Sequence, residues 1–188
     1  MEEKKYMKAT GIVRRIDDLG RIVVPKEIRR TLRIREGDPL EIFTNREGEI
    51  MLKKYSPVGE LGEFATCYAQ ALAQTVDALV CITDRDYIVA AAGAGRKELE
   101  GEHLSEEVIA LMEKRVPYVT AEADREFPLV AKEWESGHKG AALSPVLCNG
   151  DCQGSVILLE KSGDLNKLET LKTLTLAAAC FLGKNMEQ

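Results

Sequence analysis

Arginines crowd positions 14, 15, 21, 29, 30 and 33 of a chain whose formal net charge is -5. Residues 1–55 hold 14 Lys+Arg against 10 Asp+Glu, a balance of +4, and the remaining residues carry -9. The guanidinium fork matches the two acceptors of a guanine edge and the oxygens of a phosphate, so this set suits contact with a polyanion. Arg14 and Arg15 close one β-rich run, "TGIVRRI", and Arg21 opens the next, "RIVV", across the turn "DDLG". Arg29 and Arg30 fall on the short helix that follows. In a twofold dimer the set occurs twice and makes one basic face. The same residues also fit a solvated charged surface, since Asp17, Asp18 and Glu27 partly neutralise them.

The elements that carry these arginines form a small module. Pro25 suits the first position of a helix over "PKEIRRTLRI", with Ile28 and Leu32 on one face. "REGD" ends that helix, and "PLEIFT" and "EIMLKKY" make a hairpin around "NREG". About fifty residues without a disulfide or metal rarely build a sufficient core, and the strand edges would stay open. The module is therefore expected to fold as an oligomer, with strands of two chains completing one core.

Residues 1–55 are read as this module, 56–59 ("SPVG") as a linker and 60–188 as a second, acidic domain. A helix over 60–76 shows one broad apolar stripe of Leu61, Phe64, Tyr68, Ala71 and Thr75, with Ala65, Leu72 and Val76 beside them. Then come a strand pair turning at Arg85-Asp86, a helix capped by Ser105, a short strand "PYVT", a long hairpin turning at Asn149-Gly150, and a last helix opened by Asp164. From Leu174 to Leu182 that helix is apolar nearly all round, so a sheet and further helices, including those of a second subunit, are expected to cover it. The order describes an α+β fold with an antiparallel sheet and flanking helices. There is no apolar run of the roughly 20 residues that a membrane-spanning helix needs.

Nothing in the sequence asks for catalysis. "AAAGAGRKELEG" lacks the G-K-[ST] of a phosphate loop, and His103 and His138 stand alone. The five cysteines are read as reduced thiols; Cys148 and Cys152 flank a hairpin turn and lack the partners that a tetrahedral zinc site requires. No metal, cofactor or enzymatic role is expected.

The run "DDLGRIVVP" followed by "EIRRTLRI", within Met7 to Tyr55, resembles the DNA-binding domain of AbrB-type transition-state regulators of spore-forming bacteria. That resemblance implies an N-terminal swapped-hairpin β-barrel dimer that binds double-stranded DNA. The DNA-contact arginines it implies are Arg14, Arg21, Arg29 and Arg30, with Lys8 and Arg15 as auxiliary contacts. Arg33 departs from the pattern, which often has Gly there. With the second module attached, the chain resembles sporulation regulators that join this end to a C-terminal GAF-like antiparallel sheet flanked by helices. The implied function is a sequence- and shape-dependent transcriptional regulator, activator and repressor, of forespore genes. It would be cytoplasmic and nucleoid-associated, a dimer through its basic end and a tetramer through its C-terminal helices. Two readings of the GAF-like domain stay open: it takes an unidentified small ligand, with "REFPLVAKEWESG" (residues 125–137) as lid and Trp134 as its aromatic, or it serves oligomerisation alone, with Trp134 as a packing residue. An antitoxin-type DNA-binding repressor is the alternative.

Overall fold

The computed structural model describes residues 10–121, 130–131, 134, 137–162 and 164–187. It contains two compact units, Met1–Leu40 and Glu41–Gln188.

Among the described residues, the first unit has one helix, α1 (Lys26–Thr31). Pro25 is its N-cap rather than its first helical residue, with ψ of 149° outside the helical range. The strands expected over 10–16 and 21–24 are not laid into a ladder within this chain. A ladder needs successive backbone bonds between paired strands, and the backbone bonds between these two runs stop at the turn, Asp17 to Arg21 and Gly20 to Asp17. The apolar side chains stay in water as a result: Val13 is 88% and Val23 73% exposed, with Ile16, Leu19 and Leu32 also exposed. Among the described residues, none before Val58 joins a hydrophobic cluster.

The second unit begins with the hairpin of β1 (Leu40–Thr44) and β2 (Ile50–Lys54). Its turn is closed by Asn45, whose Oδ1 accepts from the amides of Glu47 (3.0 Å) and Glu49 (2.9 Å). Residues 56–59, read as a linker, are instead part of a helical turn, α2 (Pro57–Glu60). Ser56 caps it by accepting from the Gly59 amide at 3.0 Å, and Val58 is fully buried.

Five antiparallel strands follow in the order β4-β3-β7-β6-β5, made of β3 (Leu79–Thr83), β4 (Ile88–Ala92), β5 (Tyr118–Ala121), β6 (Gly140–Cys148) and β7 (Asp151–Glu160). Asn149 and Gly150 both have positive φ (49° and 86°), the geometry that a two-residue β6–β7 turn demands. The sheet is covered on both faces, so its central strands are continuously apolar. Val80, Ile82, Val156 and Leu158 point to the face packed by α3 (Gly62–Val76) and α5 (Leu165–Asn185). Leu79, Cys81, Ile157 and Leu159 point to the face under α4 (Glu106–Glu113), whose N-cap Ser105 accepts from the Val108 amide at 3.2 Å. Each large side chain removed from water in this way contributes about 1.5–3 kcal/mol before entropy is counted.

The stripe that α3 presents to the sheet is Ala65, Ala69 and Leu72, with Val76 beside it, whereas Phe64, Ala71 and Thr75 are exposed. α5 is divided likewise: Thr175, Ala178, Ala179 and Leu182 are buried, while Leu176 and Phe181 are each 45% exposed. Gly183 lets α5 lie directly on β6, since a Cβ there would sit 2.1 Å from the Leu147 carbonyl oxygen. Phe181 closes against α3, its ring 5.8 Å from Phe64 and 5.6 Å from Tyr68. All five cysteines are free thiols.

Candidate nucleic-acid interface

One carboxylate organises the turn among the arginines. The Asp17 amide donates to the Arg21 carbonyl and the Gly20 amide to the Asp17 carbonyl, both at 3.0 Å. Asp17 Oδ1 accepts from the amides of Leu19 (3.1 Å) and Arg21 (2.7 Å), and Oδ2 accepts from Arg21 Nε at 2.8 Å. The Arg21 amide and then its guanidinium hold the Asp17 carboxyl below the usual carboxylate range. Arg21 therefore reaches the surface already oriented, with its side chain still 68% exposed.

Arg14 and Arg15 precede the turn and are exposed. Arg29 and Arg30 are exposed on the last turn of α1, where positive charge complements the helix carbonyls. Among the described residues, no ion pair or hydrogen bond engages the side chains of Arg14, Arg15, Arg29 or Arg30. Four of the six expected contact residues are thus uncommitted cations, and Arg21 is held by Asp17. Lys8 lies outside the described residues.

The end of α1 is fixed by two backbone bonds. The Ile34 amide donates to the Arg29 carbonyl at 2.7 Å and the Arg33 amide to the Arg30 carbonyl at 3.3 Å. This is the paired closure that normally places glycine just past a helix, because that residue must take positive φ. Here Arg33 holds it, at φ 51°. An L side chain in that region costs on the order of 1 kcal/mol. The Gly-to-Arg departure in the sequence was the available signal for it. The Asp17–Arg21 pair was legible only as local charge balance.

Ile88, Leu99, Leu104, Leu143, Ile157 and Leu159, each at most 1% exposed, fill the layer between the sheet and α4. A cavity of about 310 Å3 opens instead at the strand ends, lined by Leu79, Gly93, His138, Ser162 and Lys167 among others. Most of the lid expected over 125–137 lies outside the described residues. Trp134, which is described, packs on the α4 side of the core and donates from Nε1 to Glu98 Oε2 at 3.2 Å.

Residues 60–187 match the family model "Stage V sporulation protein T C-terminal, transcription factor". Residues 13–60 match "Antidote-toxin recognition MazE, bacterial antitoxin". The chain is 46% identical over 182 residues to stage V sporulation protein T of Bacillus subtilis (strain 168), covering 97% of this chain and all of that protein. It is 60% identical over 52 residues to the transition state regulatory protein AbrB of the same organism, covering 28% of this chain and 53% of that protein. The GAF domain of an Acinetobacter phosphoenolpyruvate-protein phosphotransferase shares its fold at TM-score 0.56 and 12% identity, over 71% of this chain and 84% of that one.

Proposed function

Because this chain belongs to the stage V sporulation protein T family of transcription factors, we propose that it regulates transcription by gripping double-stranded DNA with the arginines around the Asp17–Gly20 turn and on α1. Arg14, Arg21, Arg29 and Arg30 are the principal contacts, and Lys8 and Arg15 the auxiliary ones. The observation that carries this reading is the coincidence of solvent-facing arginines with the segment that is 60% identical to AbrB. Phosphate contacts set the affinity, and deformability of the site adds to the few bases that so small a set of side chains reads directly.

The basic module, 1–55, works as a swapped dimer. Val13, Ile16, Leu19 and Val23 belong to strands that a second chain completes; their exposure in one chain is what supports this. Residues 56–59 then join it to the GAF-like domain, 60–188. The outward face of α3 and α5, with Phe64, Leu176 and Phe181, pairs two such dimers into a tetramer. By its family the protein acts in the cytoplasm on forespore genes, as activator and repressor, and not as an enzyme. The GAF-like domain serves assembly, and a small ligand would have to enter at the strand ends or displace packed side chains.

The match of residues 13–60 to an antitoxin model favours a second reading, a repressor paired with a toxin. Such proteins continue into a short extended tail, whereas this chain continues into a five-stranded sheet with two buried faces. Binding of a fluorescent duplex by the full chain, followed across a salt series, tests the main reading. Affinity should fall with a log-log slope of about -0.9 for each neutralised phosphate; a flat dependence overturns it.

A further inference from the structure

Lys54 is the last residue of β2 and one of the last cations of the basic module. Its ammonium is bonded to Oδ2 of Asp86, 32 residues away in the β3–β4 turn. The Asp86 side chain is 3% exposed and that of Lys54 21%, so this is a largely desolvated pair. Such pairs are poor sources of stability, and their best-attested use is fixing register between elements.

The turn that receives Lys54 is held by several hydrogen bonds. Asp84 Oδ1 accepts from the amides of Asp86 and Tyr87, each at 2.7 Å. The Asp86 carbonyl accepts from the Leu104 amide at 2.9 Å, and the Ile88 amide donates to the Glu102 carbonyl at 3.0 Å. Tyr87 and His103 bridge, as do Leu104 and Ala131. Ser105, the cap of α4, donates its amide to the Val130 carbonyl at 3.1 Å. From the end of β2 a continuous series of polar contacts thus runs through the turn to the start of α4.

We propose that Lys54 and Asp86 are a positioning pair, through which the β1–β2 hairpin, the segment that follows the arginine-bearing turn and helix in the chain, and the β3–β4 turn sense each other's state. Lys54 is not a phosphate contact on this account; its charge is spent inside the second unit. DNA bound by the basic module biases β2, β2 biases the turn, and the segment 101–105 follows. By linkage the effect is reciprocal, so anything that shifts the turn shifts DNA affinity. The inference rests on the DNA-binding reading above.

Hydrogen exchange of the full chain, with and without a short duplex that the wild type binds, tests it. Peptides spanning 84–105 should exchange more slowly with DNA bound, by at least about fivefold, the lower end of common coupling between sites. Lys54→Met should bind the same duplex and lose that protection, Lys54→Arg should keep it, and the exchanged pair Lys54→Asp with Asp86→Lys should regain it. Should Lys54→Met fail to fold, the wild-type response and the exchanged pair decide the matter. A wild type that binds DNA with no change at 84–105, or a Lys54→Met protein that responds in full, overturns the proposal. A wild type that binds no duplex overturns the DNA-binding reading and the proposal with it.

Discussion

Asp17 and Arg21 hold each other across a turn, carboxylate to guanidinium at 2.8 Å, while the same carboxylate accepts the Arg21 amide. To meet a phosphate, Arg21 must leave this partner or share it. Asp17→Asn keeps the Oδ1 acceptor and removes the charge. It should bind DNA more tightly at low salt and steepen the salt slope by about 0.9, one phosphate's worth. Anisotropy titrations over a salt series would show it, and a folded variant with unchanged affinity would mean that Arg21 does not bear on phosphate. The pH dependence follows in sign. The folded-state pKa of Asp17 is depressed by Arg21, so its support of the turn is in place at neutral pH and is lost as pH falls through that lowered value.

Truncating the uncommitted arginines should weaken DNA binding without unfolding the chain. Arg14→Ala, Arg29→Ala and Arg30→Ala each remove an exposed cation. Each should lower affinity across all sequences and make the salt slope shallower by about 0.9 where a phosphate is lost. A drop confined to one base position would instead assign that arginine to base reading.

Arg33 occupies a backbone position suited to glycine, at φ 51°. Comparing Arg33→Gly with Arg33→Ala removes the side chain in both and isolates the backbone. Glycine should be the more stable of the two by about 1 kcal/mol, read as a higher urea midpoint at equal slope. Equal midpoints would show that the left-handed geometry costs nothing here.

Leu176 lies on the outward face of α5, 45% exposed, outside both hydrophobic clusters. Leu176→Glu should leave the melting of the sheet domain nearly unchanged. In the tetramer it would place an unpaired charge in a dry interface, which costs several kcal/mol unless the contact opens. Sedimentation should find dimers, with affinity lost on long duplexes and kept on short ones. A tetramer of unchanged affinity would place assembly elsewhere.

The thiols report on the same face. Burial pushes the Cys81 thiol up to about 12, so it is protonated at neutral pH and closed to alkylation. Cys67 and Cys180 are exposed in one chain. Native alkylation should spare Cys81, and should modify Cys67 and Cys180 faster in Leu176→Glu than in wild type. Equal rates would argue that α3 and α5 are open in the assembled protein.

The sheet domain was legible where local chemistry decides. Ser105 and Asp164 cap the helices expected of them, and Asn149-Gly150 makes the turn its residue types demand. Helical period alone made the stripe of α3 too broad: Leu61, Ala65, Tyr68, Leu72 and Val76 do pack on the core, whereas Phe64, Ala71 and Thr75 do not. Phe64 and Ala65 are neighbours on adjoining stripes, and the choice between them depends on size: close packing of helix on sheet takes Ala65 and Ala69 and sends the aromatic ring to the margin. Ser56 to Gly59 has the composition of a linker, yet a capping serine before proline suffices for a helical turn, with Val58 as its anchor. The run 10–24 reads as two strands because its residues favour that conformation, but pairing is not a local property. The contact of Lys54 with Asp86 spans 32 residues and left no local trace.

The exposure of Val13, Leu19 and Val23 in a lone chain makes copy number a structural variable. On the swapped-dimer reading, the arginine face exists only after two chains meet, so its stability depends on protomer concentration rather than on sequence alone. Below the dissociation constant of that dimer the cell would hold folded sheet domains with no working DNA grip. As expression climbs toward it, grip would rise with the square of expression, and beyond it in simple proportion. A gene controlled by such a protein is controlled by a threshold, set by folding before any ligand is involved.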